Sequence, residues 1–334
     1  MTVFFDTLCQ VLVLLFFIGA GYFAARKRVL PAETAKILSV LLTNLFLPAY
    51  VLTNLAACLH IGEIGKYALY LLAGLIFLGI TLCVAEVLSL VLKKTFPKRK
   101  ILTYMLAFSN YSYFGYPLIE GVYGTETLAS VVIFVIPFTI FIYTFGVHMI
   151  TAPPKRNDTE TFADGARTHT PEPKKKMGVQ PVIPALCAGI LLGLANVDVS
   201  GNSSVFALAV TGKILHCAKI CMTPLSMLLT GVVLARYSLK ELFCSARAWL
   251  LAAVRLIAIP AIMLGLALLF RLATGLYGEP YLMIPVVISA MPIGMNIVIF
   301  HEEDSAESAS VSFITYLLAI VTIPFLFVCL QLLC

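Results

Sequence analysis

Charged side chains are scarce in this sequence. Only 12% of its 334 residues are Asp, Glu, Lys or Arg, about half the share of an ordinary soluble domain. That scarcity excludes a water-soluble globular chain and a nucleic-acid partner. The nine cysteines lie mostly inside apolar runs without CxxC spacing, which excludes a zinc site or disulfide frame and reads them as small buried hydrophobes. Enzyme motifs are missing as well. His301 opens HEEDS without the second histidine of a zinc-protease helix, His60, His148, His169 and His216 are scattered, and no DDxxD or GxSxG occurs. Neither catalysis nor a cofactor is therefore expected. In the first segment, MTVFFDTLCQVLVLLFFIGAGYFAARKR, no Lys or Arg precedes the apolar core and Asp6 stands near its start. It reads as a retained first span in preference to a cleaved signal.

What the chain does contain is long apolar runs: 60% of its residues are hydrophobic, and the mean hydropathy is +0.99. A hydrocarbon core about 30 Å thick takes about 20 such residues per crossing. Windows at 4–25, 34–57, 67–92, 101–123, 128–150, 180–196, 206–235, 243–270, 280–300 and 308–333 predict ten spans. The seventh is long, and Lys213, His216 and Lys219 interrupt its first half. These cations read as interfacial, with substrate attraction as the alternative for Lys213 and Lys219. Four alternate loops hold 18 of the 23 Lys and Arg residues, so those loops face the cytoplasm and both termini lie outside. The acidic HEEDSAES loop falls on the cytoplasmic side without overturning this, because acidic residues count little in the rule.

One polar, Pro-rich break, residues 152–179, divides residues 1–151 from 180–334. It reads as a flexible cytoplasmic linker whose basic run sets topology or touches anionic lipid headgroups. Five spans is an odd number, so a second copy of the unit enters the membrane upside down. Proline positions support such a repeat. Pro48 in FLPAYVLTNL and Pro224 in MTPLSMLLTG mark the second and seventh spans, Pro117 and Pro292 the fourth and ninth, at separations of 69 and 68 residues. IPF recurs at 136–138 and 323–325. The expected fold is all-α and polytopic, with ten transmembrane helices in two inverted five-helix repeats.

Proline inside a helix removes a donor and kinks the rod, and in hydrocarbon the freed backbone groups must find partners. The fourth span surrounds its proline with Ser109, Asn110, Tyr111, Ser112, Tyr113, Gly115 and Tyr116, and the ninth offers Ser289, Gly294 and Asn296. Interrupted helices here would leave amide N–H groups and a positive dipole end to seat a carboxylate. Asn110, Tyr113, Gly115, Pro117, Pro292, Gly294 and Asn296 are the candidate substrate contacts, with Thr53 and Asn54 from the Pro48 stretch. Alternatively the prolines are plain kinks, and each Asn caps backbone within the bundle.

The stretch NYSYFGYPLIEGVYG fits the Asn-x4-Gly-x-Pro-Leu-x4-Tyr-Gly pattern of the auxin efflux carrier family, and AMPIGMNIVIF resembles that family's second crossover. That family includes plant PIN proteins and bacterial malate or malonate permeases. The resemblance implies two inverted five-helix repeats with broken crossover helices, as in sodium–proton antiporters and bile-acid symporters. It implies a secondary transporter of the plasma membrane that binds a small organic anion where the fourth and ninth spans cross, at Asn110, Gly115, Pro117 and Pro292. The short linker and Asn296 favour a small organic acid of the bacterial permease type over auxin.

Ionisable residues at membrane depth are functional candidates. Arg255 lies eight residues past Arg247, roughly 12 Å at 1.5 Å per residue. It balances an anionic substrate or pairs with a carbonyl or acidic side chain. Glu86 snorkels or faces a cavity, Glu120 lies near the outer mouth, and either is a candidate proton site. No aspartate falls mid-span, so a coupling proton or sodium ion is a candidate partner without an assigned residue, and a second copy of the chain is another. A membrane receptor or sensor is the rival class, since receptors also have polar, kinked helices. An inverted repeat is what a receptor does not need.

Overall fold

The computed structural model describes residues 2–31, 33–96, 98–146, 181–197, 199, 201, 205–275, 279–294 and 305–333. Among them every regular element is helical. In chain order these are α1 (Thr2–Arg26), α2 (Thr34–Cys58), α3 (Ile64–Leu92), α4 (Arg99–Ala107), α5 (Tyr111–Phe134), α6 (Ile136–Gly146), α7 (Val182–Leu194), α8 (Phe206–Leu234), α9 (Leu239–Phe243), α10 (Ala246–Ala273), α11 (Glu279–Ser289) and α12 (Ser305–Leu333). Six helices, α1, α2, α3, α8, α10 and α12, are long and apolar enough to cross a membrane. The bent pair α5 and α6, meeting at 48°, makes a seventh if counted as one span, and α7 is a shorter apolar helix.

Polarity is inverted relative to a soluble protein. Phe16, Phe23, Leu75, Val91, Leu272, Val321 and Phe325 are exposed on the outside, while Thr53, Asn54, Ser109, Asn110, Ser226, Thr230, Ser312 and Thr315 are buried. Such a surface suits lipid, where only structures that satisfy their own backbone polar groups can span. A multi-pass membrane protein follows from this and from the long apolar helices.

Small residues bring the helices together, as expected where packing replaces the hydrophobic drive between helices. On α1 a β-carbon at Gly21 would lie 2.4 Å from the Leu228 carbonyl oxygen of α8, and one at Gly231 of α8 would lie 2.0 Å from the Ile18 oxygen of α1. These reciprocal contacts hold a first-half helix against a second-half one.

The prolines act differently from the sequence expectation. Pro48, Pro117 and Pro260 each lie two residues past a π-turn, at Leu42–Phe46, Tyr111–Gly115 and Val254–Ala258. A widened turn relieves the clash of the ring with the preceding carbonyl, so the helix continues through each of them. Pro224 sits inside α8, which also continues. Pro117 is therefore not a break. The chain is interrupted earlier, between Ala107 and Tyr111, where Phe108 is extended (φ −111°, ψ 123°). The expected gap between the fourth and fifth spans, residues 124–127, begins at Gly124, whose φ of 83° turns the chain inside α5 and which a side chain would strain. Pro292, by contrast, lies where α11 has ended at Ser289.

Replacing Gly231 by Val drives a side chain into backbone across the α1–α8 contact. It is expected to destabilise the protein by about 1–3 kcal/mol, read as a lowered melting temperature of the detergent-solubilised protein.

Candidate functional site

The two interruptions meet. Ser109 and Ile293 form an isolated antiparallel bridge, and the Asn110 amide N–H donates to the Pro292 carbonyl at 2.7 Å. Side chains complete the joint. Ser109 Oγ donates to the Ile288 carbonyl at 2.7 Å, and the Ile293 N–H reaches Thr315 Oγ1 of α12 at 3.3 Å. Asn110 works in both directions: its Nδ2 donates to Tyr316 Oη at 2.5 Å, and its Oδ1 accepts the Tyr113 N–H at 3.2 Å. The latter is an N-cap, satisfying one orphan donor of the half-helix that starts at Tyr111. Phe114 packs edge-on against the Tyr316 ring, with centroids 5.5 Å apart.

Around this joint the other candidates divide. A β-carbon on Gly115 would touch Met291 Cγ at 3.4 Å, and one on Gly294 would lie 3.7 Å from the Ser109 oxygen, so both glycines line the crossing. Tyr113 is buried, shares a hydrogen bond of 3.3 Å with Thr43, and accepts Ser226 Oγ of α8 on its carbonyl at 3.3 Å. Pro117 lies a turn and a half into α5, and its carbonyl accepts Gln10 Nε2 at 3.1 Å. Thr53 bonds back to the Ala49 carbonyl of its own helix. Asn296 lies outside the described residues.

A second polar cluster gathers residues from both sides of the linker. Lys219 of α8 pairs with Glu120 of α5 at 2.6 Å and donates to Asn54 Oδ1 of α2 at 2.9 Å. Tyr50 Oη donates to the other Glu120 oxygen at 2.5 Å, and its ring lies below Lys219 Nζ at 5.8 Å. Tyr50 stacks on Tyr116, with centroids 5.9 Å apart. Lys219 and Glu120 side chains are 17% and 23% exposed, so the pair is screened less than a surface pair. Lys219 is thus no free interfacial cation, and Tyr50 enters the site unforeseen, although it stands two residues after Pro48. Tyr316, the single tyrosine in the last apolar run, carried the same kind of signal.

Glu86 does not join either cluster. It is half-exposed, paired with Arg99, and accepts Thr103 Oγ1 at 3.0 Å. Arg255 is 1% exposed, and its Nε, Nη1 and Nη2 have no hydrogen-bond partner among the described residues. The carbonyl or acidic partner allowed by the sequence is not seen there. Among the described residues no three His, Cys, Asp or Glu side chains are grouped to hold a metal ion.

The segment before Tyr111 pairs main chain to main chain with the segment after Ser289, buried polar side chains surround that pairing, and the exterior is apolar. Residues 6–327 match the membrane transport protein family, the auxin efflux carrier family of the sequence resemblance. The chain belongs to that family. No curated protein matches it. This membrane transporter therefore carries out transport and not catalysis, and a receptor is not favoured.

Because Lys219 joins α8 to α2 and α5, its loss should loosen the transporter. Lys219→Met and Glu120→Gln are each expected to lower the melting temperature, and the double variant to lose less than their sum. The coupling should be about 1–2 kcal/mol, above the roughly 0.2–1 kcal/mol of exposed pairs; a coupling near zero would mean that the pair contributes nothing.

Proposed function

We propose that the chain is a secondary transporter that moves a small organic anion, such as malate, malonate or an auxin-like carboxylate, across the plasma membrane by alternating access. The bound anion sits where the chain crosses itself at Asn110 and Pro292. In this reading residues 1–151 and 180–334 are inverted five-helix repeats joined by the linker 152–179, with both termini extracytoplasmic. The observation that carries it is the Asn110–Pro292 main-chain contact of 2.7 Å, which sets the start of a half-helix beside a second interruption. The first N–H groups of a helix have no intrahelical partner, so Tyr111 and Ser112 are the donors left beside the Asn110 cap. Together with the helix dipole they favour an anion.

Asn110 then has two tasks. In the state described here its amide is held by Tyr316 and its oxygen by Tyr113. On binding, the anion replaces the Tyr316 hydroxyl as acceptor of the amide N–H, while the cap stays. Glu120 and Lys219 bridge the two halves, and relative movement of the halves changes that bridge. A coupling proton or sodium ion would compete with Lys219 for Glu120.

Reconstituted protein is expected to exchange radiolabelled malate or malonate across tight vesicles. A panel of mono- and dicarboxylates that all fail to move would overturn the transport reading. Asn110→Ala should abolish exchange and, by removing the cap, reduce stability by about 1 kcal/mol. Asn110→Asp keeps a capping oxygen but sets a negative charge against the anion. It is expected to fold with a melting temperature nearer that of the wild type and still to lose exchange. Normal exchange by Asn110→Asp would leave the residue with the cap as its whole role.

A further inference from the structure

We infer that Arg255 is the fixed positive charge that binds a carboxylate of the transported anion; this rests on the organic-anion reading above. Three observations converge on it. The guanidinium is 1% exposed, and all three of its nitrogens lack a hydrogen-bond partner among the described residues. A guanidinium carries five N–H donors in a planar fork, and a buried cation left without hydrogen bonds is strongly unfavourable unless something charged meets it.

Its level in the bundle is the second observation. Arg271 Nη1 of α10 donates to the Leu333 carbonyl of α12 at 3.2 Å, so the far ends of these two helices lie side by side. Ser310 Oγ of α12 likewise donates to the Glu241 carbonyl, just before α10 begins, so the helices run parallel. Counting sixteen residues back from Arg271 and from Leu333 brings Arg255 about level with residue 317 of α12. Thr315 and Tyr316 stand there, and they hold Ile293 and Asn110 at the crossover. Arg255 is therefore at crossover depth, on the π-turn Val254–Ala258 that packs against α12.

The third observation is what α12 presents nearby. Ser308, Ser312, Thr315 and Tyr316 are all at most 2% exposed, and Ser312 Oγ also has no hydrogen-bond partner among the described residues. No internal carboxylate is available from these two helices. α10 contains no Asp or Glu, and beyond Glu307 neither does α12. Glu307 is ten residues short of the level of Arg255, roughly 15 Å along the axis. A planar anion with two oxygens matches the guanidinium fork in a bidentate pair, which an ammonium cannot make. A dicarboxylate would place one carboxylate at the half-helix that starts after Asn110 and the other at Arg255. With Arg255 buried, the anion reaches it only when the helices around the crossing part, as alternating access requires.

The test measures the melting temperature of the purified full-length protein against malonate, malate and indole-3-acetate, with uncharged malonamide and chloride as controls. For the wild type at least one acid should raise the melting temperature, and neither control should. Arg255→Met is expected to melt at or above the wild-type temperature without acid, because an unpaired buried charge has been removed. Its half-saturating acid concentration should rise by at least about 30-fold, the scale for truncating one partner of a buried charge pair. An acid response in Arg255→Met equal to that of the wild type overturns the assignment of Arg255 and leaves the transport reading standing. A wild type that responds to none of the acids overturns the organic-anion reading and this assignment with it. A response given equally by chloride overturns the carboxylate as the ligand. If Arg255→Met does not fold, Arg255→Lys decides: a folded protein with about tenfold weaker acid response supports the bidentate pair, and an unchanged response overturns it.

Discussion

The main-chain pairing between the two interruptions is the constraint from which the rest of the structure follows. A transmembrane helix can be opened in an apolar bundle only if each freed N–H and C=O finds a partner inside the protein. Here the partner of each break is the other break. Pro292 has no N–H to satisfy and offers its carbonyl to Asn110, while Ser109 and Ile293 form the adjoining bridge. Serine hydroxyls meet further carbonyls beside the breaks, Ser109 donating to Ile288 and Ser289 to Val286. The polar run SNYSYFGY is thus a requirement of the fold in its own right.

That requirement turns the protein inside out. Apolar side chains cover the exterior of α1, α3 and α12, and many hydroxyls, the amides of Asn54 and Asn110 and the Arg255 guanidinium are interior. Without a hydrophobic drive between helices, contact is won by small residues that let backbones meet, at Gly21 and Gly231 between α1 and α8 and at Gly74 against the Phe134 carbonyl of α5. The polar interior then does for the carrier what a cleft does for a soluble protein. It gathers hydrogen-bonding groups away from lipid, and the Lys219–Glu120–Tyr50 cluster ties α8 to α2 and α5 around that interior.

Much of the site was legible along the chain because its chemistry is incompatible with lipid. Asn110, Ser109 and Pro292 stood out as polar or helix-breaking residues in apolar runs, and they meet. The role assigned to Pro117 was misplaced for a local reason. Sequence shows a missing donor but not the π-turn at Tyr111–Gly115 that absorbs it, so the break lies seven to nine residues before the proline, at Phe108–Asn110. Glu86 reads along the chain as snorkelling or facing a cavity, and only the packing shows its partners, Arg99 and Thr103 of α4. Lys219 looked interfacial because its partners, Glu120, Asn54 and the Tyr50 ring, are 99 to 169 positions away in the chain.

Hydropathy was enough to establish a helical, multi-pass membrane protein, and the motif NYSYFGYPLIEGVYG pointed to its transporter family and to the stretch where the chain leaves its helix. Those properties follow from how each stretch partitions between water, headgroups and hydrocarbon, a quantity that adds up locally. Which donor meets which acceptor did not follow, because it depends on segments brought together across the bundle. That Asn110 rests on Tyr316, that Lys219 closes on Glu120 and that Arg255 is buried without a partner among the described residues are properties of helix packing, in which contacts distant along the chain decide the hydrogen bonding of every polar group.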